Sequence, residues 1–493
     1  MDAYWKQASQ ILLRIRYVER QRAGNRGRNQ LGWRSLTNRH PSLQSVSNGI
    51  DHAAAPIRPM STDSPNIVMV SIDSLRGDHC GFLGDDRGLT PTMDDLAAEG
   101  VAYETAVAPG PQTFSSMPPI FTGQPRPQTT LEDYPQESHW ERRLASIDSH
   151  LRRNETLPER LQARGYDTAG VTPNPWTTAA SGFDRGFDHF EDFSTCNKTN
   201  WPAAVAERLP GVDTDSRAVQ LVINMAAGSE FFAPWERLHT EIKRLRRQLS
   251  EPYFLWVFVL DTHFPFIPKR RHREEQSLFG TYYSAYRSSE PMRGNGEGMS
   301  ERVRQSLQRS YRDTVRATDT FLRELRLELA ADDPVMLVHS DHGESFGDHG
   351  NYGHHHRQVY EENIHVPYLV HNAGSSETVS APTSLMTIPE TAVTIAEEGS
   401  FDPAAGTDRQ ALAASECGTH RAVRRDRYKY VASDGDRELF DLQTDPGEAD
   451  NIAPSFPELS RRLDRQLQRR DHHIAESTNI HRTVNRLVAN RTL

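Results

Sequence analysis

The sequence predicts an α/β fold: a mostly parallel sheet flanked by helices, with a small C-terminal antiparallel α/β appendage. Three observations carry this. Apolar, β-rich runs at Asn66–Ile72, Tyr253–Leu260 and Pro334–Ser340 each stop at polar residues: Asp73-Ser74, Asp261-Thr262-His263 and Asp341-His342-Gly343-Glu344. Such runs read as strands buried on both faces, whose C-terminal tips share one edge of a parallel sheet. Helical patterns alternate with them, as βαβ units require. Beyond residue 400 the pattern changes to short strands joined at Asp434-Gly435, the mark of antiparallel pairing.

Composition narrows the partners. The chain has 493 residues, 36% hydrophobic and 25% charged, with a formal net charge of -10. This describes a globular protein and disfavours nucleic acid as partner. Cys80, Cys196 and Cys417 are far apart, so neither a disulfide framework nor a Cys-based zinc site is indicated. The longest apolar run, Tyr253–Leu260, is far short of the roughly 20 residues of a membrane-spanning helix. Met1–Leu13 lacks the uninterrupted apolar region of a secretory leader, so a cytoplasmic location is expected.

Taken in order, residues 1–62 form a basic N-terminal extension with nine Lys and Arg against Asp2 and Glu19 before residue 50. Ile11, Leu12, Leu13, Ile15 and Val18 suit one face of a short basic helix, which allows contact with a membrane surface. Residues 63–400 are expected to form the main domain. It opens with the strand ending at Asp73 and a helix from Thr90 to Gly100, with Thr90 as N-cap and Pro91 in the first turn. A helix at Leu157–Arg164 and a strand at Asp167–Val171 follow, then Tyr253–Leu260 as central strand. Residues 195–250 and 265–300 read as helical or looped insertions. A long amphipathic helix, Glu301–Leu329, leads into the strand ending at Ser340; the strand Val366–His371 and a helix near Ile388–Glu397 close the domain. Residues 401–493 form a small subdomain: strands within Arg421–Val431 and Glu438–Leu442, and a final helix from about Phe456 to Arg470.

Three strand tips thus carry Asp73, Asp261 with His263, and Asp341 with His342. An ordinary strand-to-loop turn would also use such residues, but carboxylate and imidazole converging on one edge suit a divalent cation. Mn2+, Zn2+, Mg2+ and Ca2+ all remain open. Thr113 is the natural nucleophile, because it stands at or near the start of the helical segment ending at Thr122-Gly123, where backbone N–H groups favour an oxyanion.

The chain resembles the sulfatase family of the alkaline phosphatase superfamily. The resemblance rests on Pro65-Asn-Ile-Val through Asp73, Thr90–Gly100, Phe121-Thr-Gly123, His263-Phe-Pro-Phe, Ser340-Asp-His-Gly-Glu, Tyr360-Glu-Glu with His365-Val-Pro, and Arg427-Tyr-Lys with Glu438–Glu448. It implies an alkaline-phosphatase/sulfatase-like fold and one divalent cation held by Asp73, Thr113, Asp341 and His342. It also implies Thr113 as nucleophile, His263 beside the leaving group, and one of His354, His355 and His356 on the ester oxygens. His356 is selected by its register four residues before Tyr360.

The chain also departs from the family. Formylglycine sulfatases need Cys or Ser in a Cys/Ser-x-Pro-x-Arg frame, and here the two positions are Thr113 and Met117. Thr cannot yield formylglycine, and a shifted frame at Ser116-Met-Pro118 ends in Ile120. Thr172-Pro-Asn174-Pro-Trp176 replaces a segment that is basic in the family, leaving Asn174 to bind the oxyanion, and the usual second Asp is Ser74. His342 stands where many sulfatases have Asn. Together these imply a metal-dependent hydrolase of sulfate or phosphate esters, small or linked to glycan or lipid, with phosphoesters favoured on chemistry. A second metal held by Asp261, His263 and His356, a phosphoryl-alcohol transferase acting on glycan or lipid, and a non-catalytic binding protein are the alternatives.

Overall fold

The structure, a computed structural model, describes residues 64–127, 134, 136, 138–194, 232–294, 298–355, 358–405, 410–433 and 435–489. The basic N-terminal extension, most of the first insertion and His356 lie outside them. Strand β1 (Ile67–Ile72) leads through helix α1 (Pro91–Glu99) to β2 (Val101–Tyr103). Helices α2 (Thr113–Thr122), α3 (His139–Arg153) and α4 (Leu157–Gln162) precede β3 (Asp167–Thr172) and β4 (His189–Asp192). Helix α5 (Trp235–Arg246) precedes β5 (Tyr253–Val259), and α6 (Leu278–Ser288) with α7 (Glu301–Glu328) precedes β6 (Val335–Ser340). Strands β7 (Tyr368–His371) and β8 (Glu377–Val379) and helix α8 (Ile388–Glu398) complete this body.

The sheet has eight strands in the order β8-β2-β7-β6-β1-β5-β3-β4. Strand β7 runs against both its neighbours, β6 and β2, while the other pairings are parallel. Both faces are covered, because successive side chains of a strand point opposite ways. Val68, Val70 and Ile72 pack with Leu307, Tyr311, Val315, Phe321 and Leu322 of α7 and with Leu238 and Ile242 of α5. Ile67 and Met69 face the other core, with Phe114, Met117, Ile120 and Phe121 of α2, Ile147 of α3 and Ile388 of α8.

A four-stranded antiparallel sheet follows: β9 (Ala411–Ala414), β10 (Arg421–Arg425), β11 (Tyr428–Ala432) and β12 (Arg437–Asp441). One face, with Ala413, Ala422, Val431 and Phe440, packs on Val107, Val359 and Ile364 of the main body. Its other face receives Leu463 and Leu467 of helix α9 (Pro457–Ala489). The fully buried Lys429 of β11 extends Nζ to within 3.0 Å of Glu361 and 2.9 Å of Glu448. Among the described residues no helix is long and apolar enough to cross a membrane.

Several expectations change in detail. The run 366–371 divides at Pro367: His365–Val366 pairs with Ala106–Val107, and only Tyr368–His371 joins the main sheet, antiparallel. Helix α3, with a Ser138–Glu141 capping box, had no counterpart in the sequence reading, although that box is a sequence signature. The stretch 421–431 is a hairpin that turns at Asp426, whose φ is 44°. Tyr253–Val259 is not at the centre of the sheet; β1 and β6 are. Thr90 is the N-cap residue of α1, but its side chain does not cap; the Asp319 carboxylate accepts from Thr92 N at 3.1 Å and Met93 N at 2.9 Å.

Helices α2 and α3 meet through a buried histidine. Thr122 donates to the Pro118 carbonyl at 2.9 Å, so its oxygen accepts from His150 Nε2 at 3.0 Å, leaving His150 Nδ1 bare. Burial, with Arg126 and Arg153 nearby, pushes the His150 imidazole down to about 3. A base held neutral in the fold contributes stability that is complete above its unfolded pKa of about 6.5 and drains as pH falls toward the folded value. Thermal melts should show a loss of about 2 kcal/mol from this group by pH 5. His150→Gln should be less stable at pH 7.5 yet have the shallower acid slope; parallel pH curves would refute the assignment.

Candidate metal centre and nucleophile

The pairing Ile72↔Ser340 brings the tips of β1 and β6 side by side. The ladder extends one residue beyond, with Asp73 N donating to Val259 O at 2.9 Å and Asp341 N to Ile72 O at 3.0 Å. Ser74 then turns the chain at φ 59° and donates its hydroxyl to Asp73 Oδ1 at 2.7 Å. On the other tip Gly343 is required by close approach. A Cβ there would lie 2.0 Å from the Glu362 carbonyl, to which Glu344 N donates at 3.0 Å.

Thr113 comes from the opposite direction, as the first residue of α2, with Gln112 as N-cap and Gly123, at φ 67°, ending the helix. Its Oγ1 lies 3.3 Å from Asp73 Oδ2 and 3.3 Å from His342 Nε2. Asn174, in the loop after β3, donates its amide to Asp73 Oδ2 at 2.8 Å and stands 3.5 Å from Thr113 Oγ1. His342 Nδ1 lies 2.8 Å from the Gly343 carbonyl and must donate to it, which leaves the Nε2 lone pair facing the carboxylates.

Electrostatics single out this cluster. Burial, and His354 beside it, push the His342 imidazole down to about 3. Burial opposes ionisation of Asp73, but His263, His342, His354 and the Ser74 hydroxyl hold its carboxyl below the usual range. Burial and the Asp73 charge push Asp341 well above it. Asp341 Oδ2 is buried without a hydrogen-bond partner. Asp73, Asp341 and His342 offer ligand atoms within 4.8 Å of one another, the one such group of three among the described residues. An orphaned carboxylate oxygen beside a second carboxylate and a neutral imidazole fits a divalent cation.

The other predicted residues divide. His263 is at the site mouth, its Nδ1 2.7 Å from the Phe264 carbonyl and its ring 5.2 Å from that of His354. Asp261 and His263 form no group of three ligands among the described residues. Of His354 and His355, the described pair among the three consecutive histidines, His354 turns inward. Its ring is 4.6 Å from that of His342, and its Nδ1 is 3.1 Å from the buried Glu344 carboxylate. Although burial opposes it, Glu344 and Asp73 raise the His354 pKa. His355 instead lies against Gly294. His354 is one of the three histidines considered; His356, favoured on its register before Tyr360, lies outside the described residues. His354 follows Gly353, where the hairpin of 345–346 with 352–353 returns the chain to the site. Ser116 donates to the Asp341 carbonyl at 2.6 Å, and Met117 is core, so the shifted frame does not present a nucleophile.

Comparisons with known proteins agree with this layout. The family model described as Sulfatase matches residues 65–398. The chain is 25% identical to an ulvan-active sulfatase of Formosa agariphila, over 82% of this chain and 81% of that protein. It is 23% identical to an arylsulfatase of Clostridium perfringens, over 81% of this chain and 92% of that one. In fold it is similar to a phosphonate monoester hydrolase of Agrobacterium radiobacter, with TM-score 0.57 and 19% identity over 83% of this chain and 96% of that one. It is also similar to a protein solved with its substrate D-glucosamine-2-N,6-O-disulfate, with TM-score 0.59 and 16% identity over 84% of this chain and 99% of that one. The chain belongs to the sulfatase family of the alkaline phosphatase superfamily and is an ester hydrolase.

Proposed function

We propose that the hydrolase attacks its ester with the unmodified Thr113 hydroxyl, and that phosphate monoesters or diesters are its preferred substrates. The observation that carries this is the position of Thr113 Oγ1, 3.3 Å from both Asp73 and His342 at the start of α2. Threonine has no route to formylglycine, and Met117 adds no cation. The similarity in fold to a phosphonate monoester hydrolase favours the same side of the family. The names of the sulfatase relatives, one ulvan-active, point to glycan-linked esters as the broader class.

Asp73, Asp341, His342 and Thr113 would hold the cation, which supplies positive charge that offsets the paired carboxylates and lowers the pKa of the threonine hydroxyl. Asn174 orients Thr113 and donates to an ester oxygen, and His354, fixed by Glu344, contacts another. In-line attack forms the Oγ1–P bond and breaks the bond to the leaving alcohol. The proton Thr113 gives up to solvent is matched by one delivered to the leaving oxygen from His263 Nε2. Water then cleaves the phosphothreonine: its hydroxide stays on phosphorus, its proton goes to His263, the Oγ1–P bond breaks, and solvent returns to Thr113 the proton it gave up.

Nitrophenyl phosphate, bis-nitrophenyl phosphate and nitrophenyl sulfate, each assayed with Mn2+, Zn2+, Mg2+ and Ca2+, test the reading. Phosphate turnover should exceed sulfate turnover by about tenfold or more, and Thr113→Ala should lower kcat by about three orders of magnitude. Turnover of the sulfate alone would reverse the preference, and product that appears only with an acceptor alcohol would make the protein a transferase. His263→Ala should cost more with alkyl esters than with nitrophenyl esters, because a poor leaving group needs the proton; equal losses would remove that role. Asp341→Asn should abolish stabilisation by divalent cations in thermal melts, yet raise the melting temperature of chelator-treated protein by relieving carboxylate repulsion. A variant that still responds to cation would place the metal elsewhere.

A further inference from the structure

The turn that follows Asp73 is held by a tyrosine of α7. Tyr311 is fully buried, and the ring centroids of Phe346, His79 and Phe266 lie 4.9, 5.0 and 5.1 Å from its own. Its hydroxyl donates to the Ser74 carbonyl at 2.8 Å and accepts from Arg76 N at 3.0 Å. The phenol is satisfied in both senses and fixes the backbone on either side of Leu75.

Ser74 needs such a hold. Its φ of 59° is left-handed backbone, which a residue carrying a Cβ adopts only at a cost. In that conformation it serves both acids of the site. The Ser74 hydroxyl donates to Asp73 Oδ1 at 2.7 Å, and its amide donates to Asp341 Oδ1 at 3.3 Å. One residue therefore engages one oxygen of each carboxylate. The other two oxygens face the remaining groups of the cluster: Asp73 Oδ2 lies 3.3 Å from Thr113 Oγ1, and Asp341 Oδ2 lies 3.6 Å from His342 Nε2. Hydrogen bonds that align ligand carboxylates in this way govern how well a metal is held.

We propose that Tyr311 is a positioning residue for the divalent cation: by holding Ser74 in its left-handed turn, it sets which oxygens of Asp73 and Asp341 are offered to the ion. This rests on the cation site proposed above for Asp73, Asp341, His342 and Thr113. The bonds of the Tyr311 hydroxyl go to Ser74 and Arg76 and to none of those four residues, so it acts through Ser74.

The test is calorimetric titration of Mn2+, Zn2+, Mg2+ and Ca2+, singly, into the chelator-treated full chain and its variants, well below their melting temperatures. Tyr311→Phe keeps the ring and removes only the hydroxyl; it should weaken cation binding by about tenfold or more. Ser74→Ala, which loses the bond to Asp73, should also weaken it, and the double variant should lose less than the product of the two single effects, because they act in series. Tyr253→Phe removes another buried phenol's hydrogen bond, to Asp332 at 2.9 Å at the N-terminal end of β5, and should leave the affinity unchanged. If Tyr311→Phe does not fold by circular dichroism, Ser74→Ala carries the test, and an unchanged affinity there overturns the proposal. Unmodified protein that binds none of the four ions, or whose binding survives Asp341→Asn, removes the cation site and the proposal with it. Binding that Asp341→Asn abolishes but Tyr311→Phe leaves intact overturns the proposal alone, as do single effects that multiply in the double variant or a loss equalled by Tyr253→Phe.

Discussion

Two carboxylates held side by side in a water-poor site are the constraint around which this molecule is arranged. Parallel pairing of β1 and β6 leaves Asp73 and Asp341 no freedom to separate, since the ladder continues to the residue before each turn. Such proximity is unfavourable without a compensating cation. The surrounding groups are explicable on that basis: a histidine locked as a neutral ligand by its own backbone, a hydroxyl on Asp73, and an amide from Asn174. Thr113 enters this arrangement from a helix, so the proposed nucleophile and the two carboxylates come from separate elements.

Much of this was legible in the sequence because the signals are local. A short apolar run ending in Asp or Asp-His announces both a buried strand and a tip, and three such runs share one edge of a sheet only if they are parallel. Thr113 was legible as a residue at or near a helix start because it precedes the apolar segment ending at Thr122-Gly123, and it is the first residue of α2. The departure of Met117 from the basic residue of relatives also has a physical counterpart, since its side chain is buried in the core of α2 rather than turned to the site.

What escaped reading depends on contacts between distant parts of the chain. The reversed direction of β7, and the division of one apolar run between two sheets at Pro367, are set by pairing with strands distant in sequence. The cap on α1 comes from Asp319, more than two hundred residues away, while the adjacent threonine that looked suited to capping is engaged elsewhere. His354 stands among equivalent neighbours, and the geometry of a short hairpin, which no local sequence pattern announces, is what turns it and not His355 toward the site.

The ion pairs of Lys429 reach further than the C-terminal sheet. Glu361, which this lysine holds, is followed by Glu362 and Asn363, and their carbonyls receive the backbone of Gly343 and Glu344 at the tip of β6. A chain cut before β9 would therefore lose the lysine, leave Glu361 without that counter-charge, and release the support behind His342, a proposed metal ligand. The C-terminal sheet is thus a structural brace for the tip of β6 rather than an appendage that could be removed without consequence.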